Sequence, residues 1–470
     1  MTDTHTASPS DMMPKGIVKG WILIVVAALV SYALYNFLPY EENANKGLAL
    51  LAFIGILWLT EAIHITVTAL LVPILAVLMA MPIESAGQFK PISTKAAFAT
   101  FADPIIFLFF GGFALATALH IQKLDRKIAM WIISMSGGHL GVSVLAIFLV
   151  TAVLSMWISN TATAAMMLPL ALGILSHLDA KKERNTFVFI LLGIAYSASI
   201  GGLGTLVGSP PNAIAAKALG YDFSDWMKIG LPMMLILLPA MLVSLYIILR
   251  PKLNHKVHFE TEDIPWNRAR VLTMILFVST AVAWIFSSSL TDAFGISQPD
   301  TWVAVAAASL VVILGTASWK QISDNTDWGV LFLFGGGLTL SAILKDSGSS
   351  LVLGQTLANT FGDTSPFLII FAVTVFIIFL TEFTSNTASA ALLVPVFAAI
   401  ADQMGMPKEI LVIVIGIGAS CAFMLPVATP PNAIVFGTGL IRQSEMVKVG
   451  MLLNILCIFI ISTFVYWFFI

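Results

Sequence analysis

Residues 159–165 read Ser-Asn-Thr-Ala-Thr-Ala-Ala, and residues 385–391 read Ser-Asn-Thr-Ala-Ser-Ala-Ala, an offset of 226 positions. A second motif follows each copy. It reads Gly-Ser-Pro-Pro-Asn-Ala-Ile at 208–214 and Ala-Thr-Pro-Pro-Asn-Ala-Ile at 428–434, an offset of 220 positions. Motifs that recur in one order at nearly one offset indicate a duplicated unit. The sequence therefore contains two repeats.

A third motif follows the same spacing, because Leu-Phe-Phe-Gly-Gly at 108–112 matches Leu-Phe-Gly-Gly-Gly at 333–337. The longest polar connection separates the two copies. We therefore divide the chain into an N-terminal segment (1–20), a first half (21–250), a polar connection (251–269) and a second half (270–470). The repeat motifs are Ser-Asn-Thr at 159–161 and 385–387, Ser-Pro-Pro-Asn at 209–212 and Thr-Pro-Pro-Asn at 429–432.

The composition is that of a membrane protein. Of the 470 residues, 59% are hydrophobic and only 10% are charged, whereas soluble domains carry about 25% charged residues. The net charge of -2 gives no indication of nucleic-acid binding, and two cysteines exclude a disulfide framework. No His-Glu-x-x-His sequence, nucleophile–base pair or cofactor motif occurs near the repeat motifs, so we predict no enzymatic activity.

Apolar runs long enough to cross a bilayer predict an all-α polytopic membrane protein. Counting the longest runs as pairs gives about eleven transmembrane helices. The glycine-interrupted stretches at 104–120 and 329–344 are predicted to be re-entrant hairpins, although their glycines are equally compatible with close helix packing. Five crossings between the two Ser-Asn-Thr motifs would invert the second repeat relative to the first.

Loop charges predict the orientation in the membrane. Lys15 and Lys19 precede the first span, whereas Glu41 and Glu42 follow it. Because basic residues are enriched in cytoplasmic loops, the N-terminus is predicted to be cytoplasmic.

The Ser-Asn-Thr motifs lie near the middle of apolar runs, where polar backbone is tolerated only inside protein or beside a water-filled cavity. Each motif alone is also typical of a structural kink. Since Ser, Asn and Thr are preferred N-cap residues, we predict a helix break with new half-helices starting at Ala162 and Ala388. Ser209 and Thr429 each precede a proline, which favours two further helix starts. Four helix N-termini would suit a ligand with two negative ends.

Asparagine oxygens and freed backbone carbonyls are typical ligands of sodium in broken helices. Each repeat supplies one such residue, Asn160 or Asn386, so symmetry predicts two sodium sites. No lysine or arginine adjoins these motifs, which gives bound sodium a role in neutralising a dianion. The acidic residues Glu61 and Glu382 lie near predicted span ends, and we favour structural or interhelical hydrogen bonding for both over a functional role.

The paired motifs resemble those of the divalent anion–sodium symporter family over about residues 100–470. The resemblance implies a homodimer in a bacterial inner membrane, with a scaffold part and a transport part that moves as an elevator. It implies symport of succinate, fumarate and malate with two or more sodium ions. The implied substrate-binding residues are Asn160, Thr161, Ser209, Ser385, Asn386, Thr387, Thr429 and Pro430. The implied sodium ligands are Ser155, Ser159, Asn160 and Gly208 at one site, and Thr381, Thr384, Asn386 and Ala428 at the other.

Several alternatives remain open at this stage. The same scaffold could carry citrate, sulfate or another divalent anion, or could exchange anions without sodium. An ion channel is disfavoured, because duplicated broken helices build a closed midplane site and not a continuous pore.

Overall fold

The computed structural model describes residues 15–85, 88–135, 137–176, 178–179, 182–256, 264–361 and 364–470. Most of the predicted N-terminal segment and the centre of the polar connection lie outside these residues. The first half forms α1 (Lys15–Phe37), α2 (Glu42–Thr60), α3 (Ile65–Leu78), α4 (Thr94–Ala99), α5 (Pro104–Ile121), α6 (Leu124–Ser134), α7 (Leu140–Ser155), α8 (Asn160–Leu175), α9 (Arg184–Gly201), α10 (Pro210–Leu219) and α11 (Phe223–Leu249).

The second half is also helical. It forms α12 (Arg268–Ile285), α13 (Ser287–Phe294), α14 (Pro299–Ile313), α15 (Trp319–Asn325), α16 (Trp328–Asp346), α17 (Ser349–Phe361), α18 (Pro366–Thr381), α19 (Asn386–Gln403), α20 (Lys408–Gly418), α21 (Pro430–Phe436) and α22 (Gln443–Phe469). One antiparallel ribbon of β1 (Pro82–Ser85) and β2 (Gln88–Pro91) is the departure, within the described residues, from the predicted all-α class.

Eight helices within the described residues are long and apolar enough to cross a membrane, which confirms a multi-pass membrane protein. They are α1, α2, the continuous α4–α5 segment, α9 with the 3₁₀ turn that follows it, α11, α12, α16 and α22. Eleven crossings would require three more than these eight, and the shorter apolar helices among the described residues are α3, α7, α8, α14 and α18. The number eleven therefore stays a prediction.

The positions predicted for the two hairpins were wrong. The stretch 104–120 lies within α5, and 329–344 lies within α16, and both helices are unbroken. Their glycines serve close packing instead. A Cβ on Gly111 would lie 2.5 Å from the Cβ of Ala304, and a Cβ on Gly336 would lie 2.5 Å from the carbonyl oxygen of Ala69. Glycine within an apolar run does not break a helix when a neighbouring helix fills the space above it.

In repeat 1 a helical hairpin occurs at the Ser-Asn-Thr motif. The helix α7 runs parallel to α9, because the Phe148 ring contacts Phe189 at a centroid distance of 5.6 Å and Ala152 lies further along against Gly201. The helix α8 starts beside the end of α9, because Asn160 Oδ1 lies against the position of a Cβ on Gly202, and it ends at Leu175, nine residues before α9 begins at Arg184. The helices α7 and α8 are therefore antiparallel, and residues 159–161 form their tip, called tip 1.

Repeat 2 has the same hairpin. Ile377 of α18 lies against Gly418 of α20, and the Thr381 hydroxyl donates to the carbonyl oxygen of Ala419 at 2.9 Å. The helix α19 ends at Gln403, and α20 begins five residues later at Lys408. The helices α18 and α19 therefore form a second antiparallel hairpin, with residues 385–387 as tip 2.

Helices α10 of repeat 1 and α20 of repeat 2 pack against each other in opposite directions. At the centre, Ser209 Oγ lies 3.1 Å from Ser420 Oγ, just before α10 and just after α20. Ala215 of α10 packs on Gly416 of α20. Tyr221 follows the end of α10 and lies near the Glu409 carboxylate. Burial, and then this carboxylate, raise the pKa of the Tyr221 hydroxyl. Since Glu409 is at the start of α20, α10 and α20 are antiparallel.

Candidate functional site

A cavity of about 1510 Å³ opens where the two hairpin tips meet. Two connecting loops also reach it, loop 1 (residues 202–209) between α9 and α10 and loop 2 (residues 419–429) between α20 and α21. Most of the predicted site residues line this cavity: Ser159, Asn160, Thr161, Gly208, Ser209, Thr384, Ser385, Asn386, Thr387, Ala428, Thr429 and Pro430. The remaining two, Ser155 and Thr381, lie behind the tips and are fully buried.

Both tips place a helix N-terminus at the cavity. The Ser159 hydroxyl accepts a hydrogen bond from the N–H of Ala162 at 3.3 Å, and Ser385 does the same for Ala388 at 3.4 Å. Helices therefore begin at Asn160 and Asn386, two residues earlier than predicted, because the serine is the N-cap. The unpaired N–H groups and the positive helix ends are available to an anion.

The Pro-Pro motifs start the other two helices as predicted. Pro210 and Pro430 occupy the first positions of α10 and α21, and proline loses no hydrogen bond at that position. Thr429 caps α21 by accepting from the N–H of Asn432 at 3.3 Å. Ser209 has no capping hydrogen bond; its hydroxyl instead contacts Ser420 of the other repeat.

Oxygen atoms converge on the amide of Asn160. One terminal atom of this amide lies 2.7 Å from Ser155 Oγ, 3.1 Å from the carbonyl oxygen of Ala198 and 3.3 Å from that of Gly208. When the amide oxygen faces this cluster, it lies within 3.3 Å of three other oxygens, and such a group of oxygens suits a small cation. When the nitrogen faces it, the amide donates to all three. The Ser159 hydroxyl caps α8, so only its backbone carbonyl is available here.

Repeat 2 has a corresponding cluster at Asn386. The Thr381 hydroxyl lies 2.6 Å from Asn386 Oδ1 and 2.9 Å from the carbonyl oxygen of Ala419. Thr384 does not join this cluster through its hydroxyl, which lies 3.0 Å from the carbonyl oxygen of Leu380 and 2.7 Å from Ser389 Oγ. The oxygen predicted from Thr384 would therefore have to be its backbone carbonyl oxygen and not its hydroxyl.

Two carbonyl groups were missed by the sequence reasoning. Ala198 and Ala419 lie at the ends of α9 and α20, where their carbonyl oxygens contact the hydroxyls of Ser155 and Thr381. Every residue has a backbone carbonyl, so no residue type indicates such a ligand. Only the equivalence of the two positions in the repeats could have suggested them.

The asparagines of the Pro-Pro-Asn motifs hold the two loops in place. Asn212 Nδ2 donates to the carbonyl oxygens of Gly202 at 2.8 Å and Thr205 at 2.7 Å. Asn432 Nδ2 donates to those of Ala422 at 3.1 Å and Leu425 at 3.0 Å. This pair explains why the motif recurs, because each asparagine closes the loop that precedes its helix.

The residues at the two tips are uncharged. The charged side chains of the cavity lining come from other elements: Glu61, Lys123, Asp125, Arg126, Asp324 and Asp327. An anion between the tips would therefore be held by N–H groups, hydroxyls and any bound cation. This arrangement fits the predicted dependence of anion binding on sodium.

Comparisons with known proteins identify the family of this chain. A family model described as the transmembrane region of sodium:sulfate symporters matches residues 17–470. A transporter of Haemophilus influenzae is 57% identical over 458 residues, covering 96% of this chain and 97% of that one. The sodium-dependent dicarboxylate transporter SdcS of Staphylococcus saprophyticus is 33% identical over 496 residues, covering 96% of this chain and 90% of SdcS.

Among solved structures, the YdaH transporter of Alcanivorax borkumensis has a similar fold, with a TM-score of 0.57 and 12% sequence identity. The similarity covers 86% of this chain and 98% of that one. These relatives are transporters and not enzymes, as predicted. By the match over residues 17–470, the chain belongs to the sodium:sulfate symporter family of membrane transporters.

Proposed function

We propose that this protein couples the uptake of C4-dicarboxylates, namely succinate, fumarate and malate, to the entry of two or more sodium ions. One observation carries the proposal. The tips of two helical hairpins present helix N-termini to a single cavity, and each tip has an oxygen cluster behind it. Two positive helix ends suit a molecule with a carboxylate at each end. The 33% identity to a sodium-dependent dicarboxylate transporter supports this substrate class.

In this proposal the substrate lies between the tips. Its carboxylates contact Asn160 and Thr161 on one side and Asn386 and Thr387 on the other. The pocket is completed by Ser209, Ser385, Thr429 and Pro430, all of which line the cavity. Thr161 is exposed to the cavity, so its hydroxyl is accessible to a ligand.

The sodium ions are proposed to bind behind the tips. The first site would use Asn160 Oδ1, Ser155 Oγ and the carbonyl oxygens of Ser159, Ala198 and Gly208. The second would use Asn386 Oδ1, Thr381 Oγ1 and the carbonyl oxygens of Ala419, Thr384 and Ala428. Oxygen ligands of these kinds are typical of sodium sites in broken helices. A cation behind each tip also offsets the charge of the dianion in front of it.

Transport is proposed to follow an elevator mechanism, in which the hairpins, loops 1 and 2 and α9–α11 and α20–α22 move as one part. The remaining helices would form a scaffold that holds a homodimer in the lipid bilayer. The location we propose is a bacterial inner membrane, with the N-terminus in the cytoplasm.

The proposal is tested by measuring radiolabelled succinate uptake into liposomes that contain the purified protein. An inward sodium gradient is expected to drive accumulation, and replacement of sodium by potassium to abolish it. Equal uptake in potassium would contradict sodium coupling and would favour an anion exchanger. Sodium-driven uptake of citrate or sulfate without succinate would keep the coupling and contradict the substrate.

Thr161→Val and Thr387→Val are expected to raise the succinate concentration for half-maximal uptake by about tenfold, because each removes one hydroxyl contact to a carboxylate. Valine keeps the shape of threonine, so the sodium concentration for half-maximal uptake should change little. Both concentrations are measured in the same liposomes. A shift in the sodium value alone would contradict substrate contact at these positions. Thr356→Val on the exposed face of α17 serves as the control.

A further inference from the structure

A carboxyl group is buried directly behind tip 2. Glu382 is 1% exposed and follows Thr381, the residue whose hydroxyl contacts Asn386. Its Oε1 accepts from the N–H of Phe423 at 2.8 Å and from Asn454 Nδ2 at 2.7 Å. The N–H of Met424 donates to both carboxyl oxygens, at 2.9 and 3.1 Å, and that of Leu425 donates to Oε2 at 3.0 Å. The predicted interhelical hydrogen bonding of Glu382 is therefore confirmed.

These contacts leave the carboxylate without a countercharge. All of its partners are donors, and such hydrogen bonds favour the ionised form of a carboxyl group, whereas the burial of Glu382 opposes ionisation. None of them is basic, and within the part of the chain that the structure describes no lysine, arginine or histidine pairs with Glu382. A buried charge without an opposite charge is costly. A cation in the oxygen cluster at Asn386, four residues along the chain, would supply it.

Repeat 1 has no such charge. The residue 226 positions before Glu382 is Met156, and the residue 220 positions before Asn454 is Met234. Both methionines pack on Gly204, with Met156 carbons 3.1 Å and Met234 Sδ 3.2 Å from the position that a Cβ would occupy. An apolar contact thus replaces the carboxylate–amide pair of repeat 2.

A neutral hydroxyl holds loop 1 instead. Thr205 Oγ1 donates to the carbonyl oxygen of Met156 and accepts from the N–H of Gly208 at 3.3 Å. Thr205 is the counterpart of Leu425, whose N–H binds Glu382 in repeat 2. The two loops therefore have similar positions, but only loop 2 is fixed by a formal negative charge.

We propose that Glu382 is a positioning residue for the cation site at Asn386. Its hydrogen bonds fix loop 2, and its charge makes this site bind sodium more tightly than the site at Asn160. The inference rests on the sodium coupling proposed above and adds an order of occupancy, in which the site in repeat 2 fills first. A unit charge within about 10 Å of a cation changes affinity by about tenfold or more at an effective dielectric constant of about 20.

The test measures sodium binding without transport. The melting temperature of the purified protein is followed as sodium replaces choline, and the midpoint of its rise gives the apparent affinity. Asn160→Ala isolates the second site, and Asn386→Ala isolates the first. Glu382→Gln is expected to raise the sodium midpoint by about tenfold or more in the Asn160→Ala background. In the Asn386→Ala background, Glu382→Gln is expected to change the sodium midpoint by less than about twofold.

Two results would overturn the inference: an equal shift in both backgrounds, or no shift in the Asn160→Ala background. Glu382→Asp keeps the charge, and its sodium midpoint in the Asn160→Ala background is expected to stay within about threefold of that of Asn160→Ala alone. A loss as large as that of Glu382→Gln would show that shape and not charge matters, and would also overturn it.

A reciprocal variant covers the case in which Glu382→Gln does not fold. Met156→Glu combined with Met234→Asn places the charged pair in repeat 1. In the Asn386→Ala background this pair is expected to lower the sodium midpoint several-fold, and an unchanged midpoint overturns the inference.

The unsubstituted protein separates this inference from the proposed function. If its melting temperature did not change with sodium, the proposed sodium coupling itself would be contradicted. A sodium-sensitive protein with an unaffected Glu382→Gln variant would contradict only the role of Glu382.

Discussion

Asn386→Ala is expected to reduce sodium-driven succinate uptake by about a hundredfold or more, and Asn160→Ala to do the same. In our proposal each amide contacts both a sodium ion and a substrate carboxylate. Hydrogen bonds to charged groups are worth about 1.5–3 kcal/mol each, and two lost contacts give at least this factor. The measurement is the initial uptake rate in liposomes at fixed sodium and succinate concentrations.

The control is Asn36→Ala, which removes an exposed amide on α1 that contacts only the backbone of Tyr32 in the described structure. Its uptake rate is expected to match that of the unchanged protein. If either tip variant transported at more than about a third of the normal rate, the tip asparagines could not hold both sodium and substrate.

Gly450→Ala is expected to abolish sodium binding at the Asn386 site and to lower the stability of the protein by about 1–3 kcal/mol, the usual cost of overpacking. Gly450 lies in α22 against the backbone of loop 2. An added Cβ would lie 2.6 Å from the Cα of Met424 and closer still to the carbonyl group of Phe423. Backbone cannot rotate away as a side chain can, so loop 2 would have to shift. The N–H groups of this loop bind Glu382, so the cation site would move with it.

Repeat 1 offers an equivalent variant, because Gly230 of α11 lies against the carbonyl oxygen of Leu203 in loop 1. Gly173→Ala is the matched control. It also adds one methyl group within a helix, but nothing lies within 4 Å of the new atom. We expect this control to be neutral or stabilising by up to about 1 kcal/mol, as alanine favours helix. Melting temperature and sodium response are measured for all three. A Gly450→Ala variant that behaves like Gly173→Ala would contradict close packing on loop 2.

Local sequence signals located the site well. The helix starts at the tips and at the Pro-Pro motifs depend on residues within one turn, such as Ser159 and Pro210. Capping preferences therefore predicted them to within two residues. The repetition of the motifs then identified the residues that line the cavity.

Contacts between distant segments were harder to predict. Glycine pairs in α5 and α16 suggested hairpin tips, but nothing local distinguishes a tip from a packing surface. The difference depends on Ala304 and Ala69, which lie far away in sequence. For the same reason Ser209 was expected to cap its own helix, although Ser420 of the other repeat binds its hydroxyl.

The sequence by itself determined that the chain is a duplicated, multi-pass helical membrane protein with polar helix breaks at matching positions. These properties follow from composition, apolar length and short motifs, which act over a few residues. Only the tertiary structure decided that the breaks are tips of antiparallel hairpins, that the carbonyl oxygens of Ala198 and Ala419 contact Ser155 and Thr381, and that Glu382 is buried against the N–H groups of loop 2. These features depend on contacts between segments that are distant along the chain, and local preferences do not encode such contacts.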